Sequence, residues 1–208
     1  MRSTDADPRP EERDAVARDL RVALEDACPG SRTEPRGSLA RGTADAYSDI
    51  DLAWLVPGER FSRCVDRAAA AVDAVHPVEL VRADPDFRHS ANRRLLFFSF
   101  RDLPLFWRLD LEISTASGAG DAAEPGADWS RPASALANAV GTVKAVRRGR
   151  FTEASGLLDR GFQRIGADDR ATGDWPGDIV RLTRAAARRD PALRAWAERI
   201  ARLGADLR

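Results

Sequence analysis

Apolar residues recur at a spacing near four over Val16, Leu20 and Leu24, which predicts a helix from about Pro10 to Ala27 that ends before Pro29-Gly30. Glu11 and Glu12 fall near its positive N-terminal end, where acidic side chains are favoured. A polar segment, Ser31 to Arg36, leads to Gly37-Ser38. The run Ser48 to Val56 alternates carboxylate and apolar residues and then turns wholly apolar, the pattern of a strand half buried at its start and fully buried at its end. Phe61, Val65, Ala68, Ala69, Val72 and Val75 predict a second helix and Val78 to Val81 a short strand, with Pro77 separating them. Leu95 to Arg101 and Leu105 to Ser114 flank Asp102-Leu103-Pro104 and read as an antiparallel hairpin. Its second strand sets Arg108, Asp110 and Glu112 on one face and Leu109, Leu111 and Ile113 on the other.

From Thr115 to Trp129 the chain is rich in Ala, Gly and Asp and contains Pro125-Gly126, so residues 116–130 read as a linker and as the domain boundary. Everything beyond reads as helical. Leu136, Val140 and Val143 mark one helix; Leu157, Leu158, Phe162 and Ile165 a second; Ile179, Val180 and Leu182 a third; Leu193, Trp196, Ile200 and Leu203 a fourth. The last opens with Asp190 as N-cap and Pro191 at the first helical position, and closes at Gly204. The fold class expected is α/β of the α+β kind: a mixed-sheet domain over residues 1–115, the linker, and a helical bundle over 131–208.

Composition narrows the function. The 208 residues include 33 basic and 33 acidic side chains and are 43% hydrophobic, which fits one or two small globular domains and excludes global disorder. A formal net charge of zero provides no sequence-wide positive field to collect phosphates, so a general DNA or RNA binder is disfavoured. No apolar stretch approaches the roughly 20 residues that span a bilayer, and the N-terminus lacks the apolar core of a signal peptide; a soluble cytoplasmic protein is expected. Cys28 and Cys64 have no metal-binding spacing and read as reduced and buried. Of the 33 basic residues one alone, Lys144, is lysine, and the arginine excess reads as a compositional bias.

The chemistry concentrates between Gly37 and Leu52. Asp49 and Asp51, at i and i+2 of a strand, project to one face with Cα atoms roughly 6.5 to 7 Å apart, and they need neutralising. Mg²⁺ answers that need, since it binds one or two carboxylates plus substrate phosphates, and a pair of such ions clamps the attacking and leaving oxygens of a phosphoryl transfer. The Gly37-Ser38 turn lets backbone N–H groups and a hydroxyl approach an anionic phosphate. Asp110 adds a third carboxylate from the later strand.

These residues resemble the DNA polymerase β-like nucleotidyltransferase superfamily: Gly-Ser, ten residues, Asp-hydrophobic-Asp, then a hydrophobic-Asp-hydrophobic strand. Gly37-Ser38-Leu39-Ala40-Arg41-Gly42 and Ser48-Asp49-Ile50-Asp51-Leu52 are similar to the small bacterial minimal and antibiotic nucleotidyltransferases. The likeness covers roughly residues 30 to 115 and implies transfer of a nucleoside monophosphate from a Mg-bound triphosphate, ATP by default, to an acceptor, with release of pyrophosphate. By position it assigns Asp49, Asp51 and Asp110 to two Mg²⁺ ions and Gly37 and Ser38 to the phosphates.

Each residue also has a plainer reading. Asp110 could pair with Arg108 or Arg101, and Glu112 on the same face is an alternative third ligand or the general base. Ser38 can cap a helix, Arg41 can support the turn or touch phosphate, and Ser48 can brace the strand entrance. Lys144 borders an apolar helix face, where it either meets the triphosphate or is solvated. His76 and His89 lie outside the motif, Trp54 reads as core, and Trp129 and Trp175 could face an acceptor. The expected partners are a nucleoside triphosphate and a small antibiotic-like hydroxyl acceptor, without nucleic acid or membrane and with room for a homodimer. Nucleotidylation of a partner protein, a non-catalytic nucleotide-binding module, and polymerisation on nucleic acid are the competing functions.

Overall fold

A computed structural model describes residues 8–115 and 129–207. The chain divides between Trp129 and Ser130 into two compact units. The expected linker, residues 116–130, lies almost wholly outside the described residues.

In the first unit, α1 (Pro10–Ala27) forms where the apolar periodicity places it, with Pro10 opening its first turn and Leu20 and Leu24 fully buried. β1 (Arg32–Pro35) and a single helical turn, α2 (Gly37–Ala40), follow. Then come β2 (Ile50–Val56), α3 (Phe61–Asp73), β3 (Val78–Ala83), β4 (Arg93–Phe100) and β5 (Leu109–Thr115). The five strands form one mixed sheet in the order β1-β2-β5-β4-β3, the α+β class expected. β2 and β5 run parallel at its centre and the other pairings are antiparallel. In β2 and β5 alternate residues are buried: Ile50, Leu52, Trp54 and Val56 in one, Leu109, Leu111 and Ile113 in the other. That face is covered by α1 and α3. The opposite face carries Asp51, Asp110 and Glu112.

Three expectations change. Ser31 to Arg36 contains an edge strand, whose Thr33 pairs with Trp54. The second hairpin strand starts at Leu109 instead of Leu105, because Leu103 to Trp107 is a buried non-strand segment in which Trp107 Nε1 donates to the Ala46 carbonyl at 3.2 Å. The cysteines are not reduced thiols. Cys28, just past α1, and Cys64 in α3 are joined in a disulfide with Cα atoms 5.9 Å apart, because the packing of α1 on α3 brings two distant sulfurs onto one buried seam.

The second unit is a bundle of α4 (Arg131–Arg147), α5 (Phe151–Arg164), α6 (Trp175–Arg189) and α7 (Arg194–Gly204). α4 is its central helix, rich in Ala and Val and packed by the other three, as a helix apolar on most sides must be. Asp190 caps a 3₁₀ turn, Pro191–Leu193, that leads into α7. None of the described helices is long and apolar enough to cross a membrane.

Asp178 fixes the loop ahead of α6. Its side chain is 1% exposed and accepts from Thr172 N at 2.7 Å, Thr172 Oγ1 at 2.8 Å and Arg181 Nη2 at 2.6 Å. Burial alone would raise its carboxyl, but the bonds from Arg181 and Thr172 outweigh it and hold the pKa below the ordinary 3.8. Its contribution is therefore complete above about pH 4 and is lost as pH falls through the depressed folded value. Asp178→Ala is expected to cost about 3 kcal/mol at pH 7, the low end for breaking a buried pair, since Arg181 can rehydrate. Urea unfolding at pH 7 and pH 3 checks this: the gap between wild type and variant should narrow in acid, and a constant gap would reject the assignment.

Candidate active site

The site lies where β2 and β5 begin. Ser48 prepares it: its hydroxyl donates to Asp45 Oδ1 at 2.9 Å and accepts from Asp45 N at 3.0 Å, closing the turn before Asp49. At 8% exposure Ser48 braces the strand entrance. The buried Arg13 guanidinium holds the same loop from α1, bonding the Asp45 carbonyl and meeting Asp14 at 2.9 Å. Sequence reasoning missed Arg13, whose only signal is a charge on the apolar side of α1.

In the parallel pair Asp51 stands in register with Asp110, on strands about 4.8 Å apart. Asp49, two residues earlier, falls on the same face. A guanidinium gathers the three: Arg108 forks Asp110 through Nε at 2.5 Å and Nη2 at 2.7 Å, and Nη2 lies 3.9 Å from Asp49 Oδ2. Burial would lower the Arg108 pKa, but Asp49, Asp110 and Asp51 reverse the effect and raise it. Burial, joined by the charges of Asp49 and Asp51, pushes the Asp110 carboxyl up to about 6 against the pull of Arg108. Phe97, the β4 neighbour of Asp110, lies beneath Arg108 with its ring centroid 5.2 Å from the guanidinium carbon.

Gly37 closes the other side. Its φ of +54° belongs to the left-handed region, and a Cβ built there would lie 2.3 Å from Asp51 Oδ2. The turn backbone thus abuts the carboxylate because no side chain intervenes. Arg36 N donates to the Asp51 carbonyl at 2.8 Å and fixes the approach. Ser38 lies half-buried in α2, and Arg41 is exposed at its end.

Comparison with known proteins finds no matching family model and no matching curated protein. Solved structures do show likeness. Cid1, described for its RNA terminal uridylyl transferase activity, is 15% identical over 68% of this chain and 42% of its own, with a TM-score of 0.40. The non-canonical poly(A) polymerase complex GLD-2–GLD-3 gives 12% identity over 74% and 42% with a TM-score of 0.39. The polymerase core of TRAMP, an RNA surveillance complex, gives 13% over 91% and 56% with a TM-score of 0.41. This chain spans about half the length of these structures or less.

The remaining sequence candidates divide. Glu112 shares the face of Asp110, but Arg36 bonds it and Arg93 lies 3.2 Å from it, so its carboxylate is tied down by two guanidinium groups and anchors β5 to its surroundings. Lys144 is in α4 of the second unit, 8% exposed. His76 pairs with Asp102 at 2.9 Å, and Trp175 stacks on Phe151 with centroids 6.0 Å apart.

Asp49 and Asp51 are hard oxygen donors of the kind Mg²⁺ takes. Among the described residues no three carboxylate, imidazole or thiolate groups are arranged to hold a metal ion, and Asp110 is occupied by Arg108. Asp49 and Asp51 therefore fit a cation that completes its shell from phosphate oxygens, and Asp110, the third ligand expected, stands on the same face bonded by Arg108.

Proposed function

We propose that the first unit is a nucleotidyl-transfer domain acting on a Mg-bound nucleoside triphosphate, with ATP as the default donor and a hydroxyl of a small molecule as acceptor. The observation that carries this reading is the parallel pair that aligns Asp51 with Asp110 directly against the backbone of Gly37. Asp49 and Asp51 would hold the metal, which supplies charge neutralisation at the phosphates. Gly37 and Ser38 receive the β and γ phosphates, with Arg41 beside the turn. Arg108 keeps the carboxylates together and orients Asp110. The acceptor oxygen bonds to the α phosphorus, the bond from that phosphorus to the bridging oxygen breaks, pyrophosphate leaves with the electron pair, and the acceptor proton passes to a base at the cluster. Positioning and electrostatic stabilisation do most of the work in such a transfer.

A thermal-shift titration with ATP, GTP, CTP and UTP, with and without Mg²⁺, tests the donor site without knowledge of the acceptor. A site filled at about 100 times its dissociation constant gains roughly 2.7 kcal/mol. One nucleotide should raise the melting temperature only with Mg²⁺, and the shift should vanish in Asp51→Asn. Shifts equal in the variant, or present without metal, would sink the assignment.

A further inference from the structure

The formal charge of zero conceals a division. Residues 130–208 carry 16 basic and nine acidic side chains, a charge of +7, against −7 for residues 1–129. Within the second unit four of the arginines line one groove. α6 and α7 pack side by side, and a groove of about 700 Å³ runs along them, lined by Arg184 and Arg188 from α6 and by Arg194 and Arg202 from α7. All four are exposed, and among the described residues none has an ion-pair partner. Glu198 is the one acidic residue of the lining. Elsewhere in the unit Arg181 pairs with Asp169 and Asp178 and Arg150 with Glu153; what distinguishes these four is that they face one groove from two helices.

We propose that this groove binds the phosphodiester backbone of single-stranded nucleic acid without reading its bases. The charges are distributed along two walls, about 6 Å apart along α6 and about 12 Å along α7 from the helical rise, which suits a chain of phosphates better than one small anion. Guanidinium groups grip phosphate oxygens in pairs. Between them the lining is Val180, Ala187, Ala197 and Ala201, with no aromatic side chain to stack a base. The expectation of no nucleic-acid partner rested on the summed charge, and the sum cancels across the two units. The site stands on second-unit residues alone and is independent of the transfer chemistry of the first.

The test is fluorescence anisotropy of the full chain with labelled 12-residue oligonucleotides of differing sequence, between 50 and 200 mM salt. Three or four phosphate contacts give a log–log salt slope of about −2 to −3, a roughly 15- to 60-fold loss over that range. Arg184→Ala/Arg188→Ala should bind at least tenfold more weakly with a slope shallower by about 1.4, and Arg194→Ala/Arg202→Ala, on the other wall, should do likewise. Arg131→Ala/Arg160→Ala removes the same charge outside the groove and should stay within twofold of wild type. Circular dichroism confirms that each variant is folded. No binding at 50 mM salt, or equal losses in all three pairs, would overturn the proposal. So would displacement by a poly-glutamate peptide at charge concentrations equal to those of oligonucleotide, which would make the groove a dock for an acidic protein.

Discussion

Replacing Asp49 or Asp51 with asparagine is expected to abolish metal-dependent pyrophosphate release, by a factor on the order of 10² to 10³ or more, the scale of losing one group that stabilises transition-state charge. The substitution keeps the shape of the side chain and removes one negative charge from a face where Asp49, Asp51 and Asp110 crowd a single guanidinium. Stability should change little, because the attraction to Arg108 that is lost is offset by relief of repulsion from the other two carboxylates, and Arg108 keeps its fork on Asp110. Pyrophosphate release measured beside the unfolding midpoint separates the two effects. Retained turnover would remove the carboxylates from the mechanism; lost turnover with an unfolded chain would assign them to stability instead.

Gly37→Ala should be almost as damaging to turnover, for a different reason. The new Cβ would lie 2.3 Å from Asp51 Oδ2, closer than real Cβ contacts come, so the carboxylate or the turn must move. Displacement of a reacting constellation by about 1 Å can cost 10²-fold in rate. The left-handed backbone adds a folding penalty of about 1 to 2 kcal/mol. Gly42→Ala supplies the control: Gly42 also has a positive φ, +67°, but nothing lies within 4 Å of a Cβ there. Both variants should show the backbone penalty, Gly37→Ala should lose more stability by the cost of moving Asp51, and it alone should lose about 100-fold in pyrophosphate release. Equal activity in the two would show that the contact with Asp51 has no catalytic consequence.

The central strands were legible because period-two alternation of Ile50 to Val56 and Leu109 to Thr115 is a local signal, and it separates the carboxylate face from the core by itself. β1 carried no such signal. Its residues, Arg32 to Pro35, are mostly exposed, and the strand exists because β2 offers it a partner. Leu103 to Trp107 is apolar without alternation, so a buried segment and a strand look alike in sequence. The carboxylates of the site were visible as spacing, and so was Arg108 as a partner for Asp110 two residues on, but the two guanidinium partners of Glu112 are contacts between elements. The same holds for Cys28 and Cys64, whose pairing spans 36 residues. The groove arginines were hidden twice, in a bias toward arginine and in a total charge that cancels.

The parallel pairing of β2 with β5 also sets when the site can exist. Ile50 and Leu109 are partners 59 residues apart in the chain, and no hairpin can bring parallel neighbours together. Closure of so long a loop precedes any reward from the contact, which places this pairing late in folding and makes it slow. A nascent chain that has not yet supplied β5 therefore holds Asp49 and Asp51 without their in-register neighbour. Nucleotide affinity should emerge abruptly with the last strand of the sheet, so ligand binding would report completed folding of this unit.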